Sequence, residues 1–337
     1  MNAPQPMTLK KPPAANTVDR AAGGVNRARW LRNALPGISL VVLLATIFIM
    51  QPRAMSYMGM NLMLNLAVPI ALATIAQMLI ITVNDLDLSL GSFISFISFV
   101  ACVAATLLND HPLLGCLVLL GCIGVYALLG ALIHSRRLPA IVVTLGMSFI
   151  WVGGAVLLLP APGGSAPQWL QALVKIKTPV LPFAIVVCVV LAVAVHLFLM
   201  RSRFGVVLRG AGGNPLAMAK AGWSLLRIKV TLYALAGGFG VLSGLFLVGL
   251  TTSADANMAL RYTLLSIAGV ILGGGEFTGG RVSPIGAVLG ALTLVLAGSL
   301  LSFIRISPDW QIGAQGAILI LVLALRTAVN RLEVRPV

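Results

Sequence analysis

The sequence predicts an all-α polytopic membrane protein of about ten transmembrane helices, with a weak internal repeat and both termini cytoplasmic. Three observations carry this. Hydrophobic residues make up 59% of the 337 and charged residues 9%, against roughly 25% charged in water-soluble domains, and mean hydropathy is +1.04. The apolar residues gather in runs long enough to cross a bilayer. They lack the two-residue alternation of a membrane barrel, so each run closes its own backbone hydrogen bonds as a helix. The 23 basic residues fall between those runs and give a net charge of +15, a pattern of cytoplasmic loops rather than of nucleic-acid binding.

Residues 1–33 are polar and basic, with Pro4, Pro6, Pro12 and Pro13. They read as a mobile cytoplasmic arm, too long and too polar for the leading region of a cleaved signal. The transmembrane domain follows over 34–327. Its first run, about 35–51, is a retained helix, and further runs cover about 61–83, 90–108, 113–133, 139–159 and 180–200. After a basic segment at 201–229 come runs at about 230–250, 263–275, 284–304 and 311–326, then a cytoplasmic tail at 328–337. A straight crossing takes roughly 20 residues. The eighth run is too short alone; it is a half-span, or it begins within Asp255 to Tyr262.

With the amino terminus inside, ten crossings place 18 basic residues in the cytoplasm and leave 5 outside, namely Arg53, Lys175, Lys177, Arg261 and Arg305. The segment 201–229 dominates the inside set. It holds Arg201, Arg203, Arg209, Lys220, Arg227 and Lys229 and no carboxylate. Such a stretch lies outside the hydrocarbon.

Glycine occurs 35 times, with small-xxx-small pairs at Gly240 and Gly244, Gly269 and Gly273, and Gly286 and Gly290. These spacings let helix backbones approach closely. The repeat shows where VNDLDLSLGSFISF closes the second run and GGGEFTGGRVSPIGAVLG closes the eighth. Each is a helix, an acidic turn, then a serine before a glycine-bearing helix. Cys102, Cys116, Cys122 and Cys188 sit in apolar runs without metal spacing, as small buried hydrophobes do.

Four polar residues mark the cytoplasmic turns: Asp85, Asp87, Glu276 and Arg281. An acid at the membrane boundary can serve a solute path, but Asp87 or Ser89 also suits the open amides at the start of the third helix. Ser283 and Pro284 form the matching cap. Glu276 and Arg281 can pair with each other or with a partner. Candidates for a solute path are Asn61, Asn65, Gln77, Ser95, Thr144 and Ser148. Their amides and hydroxyls suit a neutral polyhydroxylated solute, although helix-to-helix hydrogen bonding is the commoner role for each such residue. The chain contains no GxxxxGK[ST], GxSxG or HExxH motif, so catalytic residues and a metal site are not expected.

The chain resembles the permease subunits of bacterial ATP-binding-cassette importers, in the branch serving ribose, xylose and related simple sugars. The likeness rests on VNDLDLSLGSF, LPAIVVTLGMSFIWVGGA, RSRFGVVLRGAGGNPLAMAKAGWSLLRIKV and ILGGGEFTGGRVSPIGAVLGALTLVLAGSLLSFIRISPDWQ, which together span about residues 60–326. It departs from the branch in VNDLDLS, where GGIDLS is usual, and in Glu276 within an otherwise uncharged turn. The resemblance implies a pair of permease copies, identical or related, in the inner membrane. It implies two cytoplasmic ATPase subunits that hold ATP and Mg, no cofactor on this chain, and a periplasmic solute-binding protein. It also implies a short docking helix at about Asn214 to Gly222. Asn214 would cap it, Pro215 would open it, Ala217, Met218 and Ala221 would build it, and Gly222 would end it. Alternating access of a monosaccharide or polyol, driven by ATP on the partner, is the expected mechanism. A permease for branched-chain amino acids is the alternative within the same architecture. An ion-coupled secondary transporter is the alternative outside it, and would call for charges at mid-membrane.

Overall fold

The computed structural model describes residues 34, 36–103, 112–158, 160–176 and 178–307, with isolated positions between 310 and 324. The apolar runs form helices in order, beginning with α1 at Pro36–Met50. There follow α2 (Tyr57–Met63), α3 (Ala67–Ile81), α4 (Leu90–Val103), α5 (Pro112–Ser135), α6 (Ala140–Leu158) and α7 (Gln168–Val174). The second half holds α8 (Phe183–His196), α9 (Arg203–Gly213), α10 (Pro215–Lys220), α11 (Leu225–Thr251), α12 (Leu260–Leu272) and α13 (Pro284–Phe303). The described residues contain no strand beyond one antiparallel bridge, Gly163 with Ala254.

Among the described residues, five helices are long and apolar enough to cross a bilayer, and six if the bent pair α2–α3 is one span. The five are α5, α6, α8 with its extension, α11 and α13. Helices α1, α4 and α12 are apolar but shorter. The expected tenth run at 311–326 and the segments 1–33 and 328–337 lie outside the described residues, save isolated positions. The eighth run begins at Leu260 and keeps 13 residues, roughly 20 Å of helix at 1.5 Å per residue.

The expected second run, about 61–83, is broken. A 40° bend separates α2 from α3. Pro69, in the first turn of α3, lacks the N–H that would bond the carbonyl of Asn65, and its ring crowds that carbonyl. Residues 64–66 therefore form a turn.

Helix α3 is the core column, with every residue buried. It packs on α8, α11, α12 and α13, while α11 also meets α4, α5 and α7. The outer helices α5, α6 and α8 expose Leu117, Leu128, Phe149, Ile150, Val189 and Val190, an apolar face suited to lipid. Helices α12 and α13 meet backbone to backbone. A Cβ at Gly286 would stand 1.9 Å from the Gly273 carbonyl oxygen, and one at Gly290 would stand 2.2 Å from that of Gly269. Gly240 and Gly244 likewise receive Phe93 and Ile97 of α4. The two turns that look alike in sequence join differently packed pairs: α12 and α13 are closely packed, whereas α3 and α4 barely touch.

The basic segment 201–229 is mostly helical rather than a loop around one short helix. α8 continues into a π-helical turn, Leu197–Arg201, and α9 and α10 follow with little interruption. Ser224 Oγ accepts from Arg227 N at 3.4 Å, capping α11, so Arg227 and Lys229 belong to the first turns of that helix.

Candidate functional site

Helix α10 sits where the resemblance places a docking helix. Asn214 Oδ1 accepts from Ala217 N at 3.0 Å, Pro215 occupies the first turn, and Gly222 takes φ +84°, a left-handed value that suits glycine. No residue of α10 is buried. Met218, half-buried, turns back on Gly210, where a Cβ would lie 2.9 Å from its sulfur. Leu216 is 77% exposed and Trp223 45% exposed. The sequence reading passed over both, Leu216 within α10 and Trp223 just after it.

The turn from α3 to α4 carries the acids, which differ in role. Asp87 is fully buried. Its Oδ1 accepts from the backbone N and the hydroxyl of Ser89, both at 2.7 Å, and Tyr126 donates to Oδ2 at 2.7 Å. Gln77 faces the Asp87 peptide, and the amide orientation that satisfies both groups donates to the Asp87 carbonyl at 3.1 Å and accepts from its N–H at 3.2 Å. Thr144 Oγ1 accepts from Leu88 N at 3.1 Å. Tyr126 stands nine residues before the end of α5, roughly 13 Å into the helix, so the turn reaches well inside the protein. Asp85 instead pairs with α11: Lys229 Nζ lies 2.7 Å from Oδ2, and Tyr233 donates to the same oxygen at 3.1 Å.

The second acidic turn lies at the surface. Arg281 and Glu276 pair at 3.5 Å, and Glu276 N donates to the Arg281 carbonyl at 2.9 Å. This turn, the α3–α4 turn and the end of α9 converge on Asn84. Asn84 Nδ2 donates to the Gly212 carbonyl at 2.8 Å, and its Oδ1 accepts from Gly279 N at 3.1 Å. Backbones press together here: a Cβ at Gly212 would lie 1.9 Å from the Thr82 carbonyl oxygen, and one at Gly280 would lie 2.2 Å from that of Arg209. Asn84 was absent from the sequence-predicted site. Its one sequence signal is an amide in a turn, where asparagine tolerates the left-handed φ of 63° that it adopts.

The solute-path candidates divide. Asn61 and Asn65 line one open cleft of about 380 Å³ with Lys175, Phe183 and Phe246. Asn65 also borders a second cleft, with Arg261, Ser299 and Ser302. The other four are not brought to these clefts. Gln77 and Thr144 hold the α3–α4 turn. Ser95 Oγ accepts from Ala259 N at 3.1 Å, fixing the start of α12, and the Ser148 hydroxyl donates to its own helix at Leu145.

A model of the family described as branched-chain amino acid transport system / permease component matches residues 59–323. Among curated proteins, the chain is similar to the galactose/methyl galactoside import permease of Salmonella typhimurium, 28% identical over 88% of this chain and 94% of that protein. It is similar to the ribose import permease of Escherichia coli, 25% identical over 87% of this chain and 92% of that protein. The galactose/methyl galactoside import permease of Haemophilus influenzae is 28% identical over 58% of this chain, which spans 61% of that protein's length. No solved structure matches the chain.

Proposed function

We propose that this chain, which belongs to the branched-chain amino acid transport system / permease component family, is the membrane-spanning subunit of an ATP-driven importer for a monosaccharide. It is a transporter component rather than a catalytic subunit. The observation that carries the sugar reading is that relatives aligned over nearly nine-tenths of the chain are import permeases for galactose and ribose. The first cleft agrees in chemistry. Two carboxamides, Asn61 and Asn65, stand near Phe183 and Phe246, which offers hydrogen-bond partners for hydroxyls beside an apolar face for a sugar ring.

In this reading ten helices cross the bacterial inner membrane with both termini cytoplasmic. Two copies form the path, two ATPase subunits with ATP and Mg bind from inside, and a periplasmic binding protein delivers the sugar. Closure of the ATPase pair moves α10, and the path opens alternately to the two sides. The protein's own residues supply the docking surface, Asn214 to Gly222 with Leu216 and Trp223, and the outer clefts.

A second reading follows from the family's description, which names branched-chain amino acids. One experiment separates the two: proteoliposomes holding the permease, its ATPase and its binding protein, given labelled pentoses, hexoses or leucine. Sugar uptake that requires internal ATP is expected. Uptake of leucine but of no sugar overturns the substrate, and uptake without ATP overturns the mechanism.

A further inference from the structure

We propose that Asn84 is the positioning residue through which movement of α10 reaches the membrane helices. This rests on the docking role proposed above for α10. Asn84 and Asp85 are consecutive, and they hold the two ends of the segment that carries α10. On the near side, Asn84 Nδ2 bonds the Gly212 carbonyl at 2.8 Å, two residues before the α10 cap. On the far side, Asp85 holds Lys229 at 2.7 Å and Tyr233 at 3.1 Å in the first turns of α11. The exposed α10 is therefore slung between two adjacent residues of the α3–α4 turn. The same Asn84 carboxamide accepts from Gly279 N at 3.1 Å, and so reaches the α12–α13 turn.

The chemistry selects an amide at this position. One face of the side chain must donate to a carbonyl and the other must accept from an N–H. A carboxylate can do only the second. The backbone must also sit at φ 63°, which asparagine and glycine tolerate. Around this amide the contacts are backbone on backbone, at Gly212 against Thr82 and at Gly280 against Arg209. Such contacts have no flexible side chain to absorb a displacement, so a shift of α9 and α10 moves both turns together. Those turns continue into α3 and α4, and into α12 and α13, which supply most of the buried core.

The test uses Asn84→Gly, which keeps the backbone conformation and removes both bonds, and Asn84→Asp, which keeps the acceptor and removes the donor. Uptake, ATP hydrolysis and ATPase association are measured in the same proteoliposomes. Association and hydrolysis are expected to stay within about twofold of wild type while uptake falls about tenfold, the scale of one or two net hydrogen bonds. ATP spent per solute then rises about tenfold. Uptake and hydrolysis that fall in parallel, or neither changing, overturn the proposal, because a merely structural residue would not alter the ratio. A second measurement, hydrogen exchange across residues 209–221 and at Gly279 in the full-length permease, needs no transport. Faster exchange across 209–221 is expected in both variants, and at Gly279 in Asn84→Gly alone, because Asn84→Asp keeps the acceptor for that N–H; unchanged exchange overturns the tie itself. Wild-type vesicles that import no sugar count against the proposed function, and the exchange measurement still decides whether Asn84 holds the segment. Should Asn84→Gly fail to accumulate, Asn84→Asp carries both measurements.

Discussion

Lys229 of α11 reaches Asp85 of the α3–α4 turn at 2.7 Å, with the side chains only 16% and 13% exposed. A pair this enclosed costs little while both partners remain, and much when one is removed. Lys229→Met should lower stability by about 3 kcal/mol, because Asp85 keeps Tyr233 but loses its countercharge. Asp85→Asn combined with Lys229→Met should recover part of that loss. Thermal unfolding of the four proteins of this cycle measures the coupling, and additive losses would show that the pair is not coupled.

Asp87 should tolerate loss of charge better than loss of polarity. Asp87→Asn can still accept from the Ser89 backbone and can donate its amide to Tyr126, so a change of about 1 kcal/mol is expected. Asp87→Leu strands the Ser89 backbone N–H and leaves the buried hydroxyls of Ser89 and Tyr126 only each other, at 3.3 Å, and should cost about 3 kcal/mol or more. Melting temperatures of the two variants should rank in that order.

The glycine seam between α12 and α13 leaves no room for a methyl group. Gly286→Ala brings a Cβ to 1.9 Å from the Gly273 carbonyl, a backbone atom with no rotamer to yield. A loss of about 2 kcal/mol or more is expected from overpacking. Gly121→Ala, where a Cβ meets nothing within 4 Å, serves as the control and should be near neutral.

Leu216 is 77% exposed and contributes little packing inside this chain. Leu216→Glu should leave the melting temperature within about 0.5 kcal/mol of wild type in stability terms. It should nonetheless weaken ATPase association at least about tenfold if it sits at the centre of the docking surface. Co-purification with the ATPase at graded salt reads this directly.

Asn65 is exposed at the bend between α2 and α3. Asn65→Leu should keep stability within about 0.5 kcal/mol while raising the sugar concentration for half-maximal uptake several-fold. Transport kinetics across a sugar series check it, and unchanged kinetics would remove Asn65 from the path.

Much of this was legible from the residues, and the failures are instructive. Among the described residues the apolar runs place most helices to within a few residues, because a contiguous apolar stretch in a bilayer protein closes its own hydrogen bonds as a helix. The cap of α10 was readable because Asn-Pro followed by small residues states its own geometry. The bend before α3 was signalled by Pro69, whose effect on a continuous apolar run is easy to discount. The charge of Arg227 and Lys229 argued for a loop, and the structure places both in a helix because a carboxylate 144 residues away in sequence receives Lys229. Gln77, Ser95 and Thr144 look like path residues by type. Only packing shows that each has a backbone partner already. Asn84 was missed because its two partners, Gly212 and Gly279, lie far along the chain and offer only backbone atoms, which no sequence motif displays.

The two clefts that share Asn65 each hold one cation, Lys175 in the first and Arg261 in the second. Fixed positive charge acts over a Debye length of about 8 Å at physiological salt. An amine or metal cation nearing either opening is repelled, whereas an uncharged polyol is not. The bend at Pro69 thus does more than break a helix. It seats the Asn65 carboxamide between two clefts that each carry one positive side chain, a charge pattern that favours a neutral polyol over a cation in either.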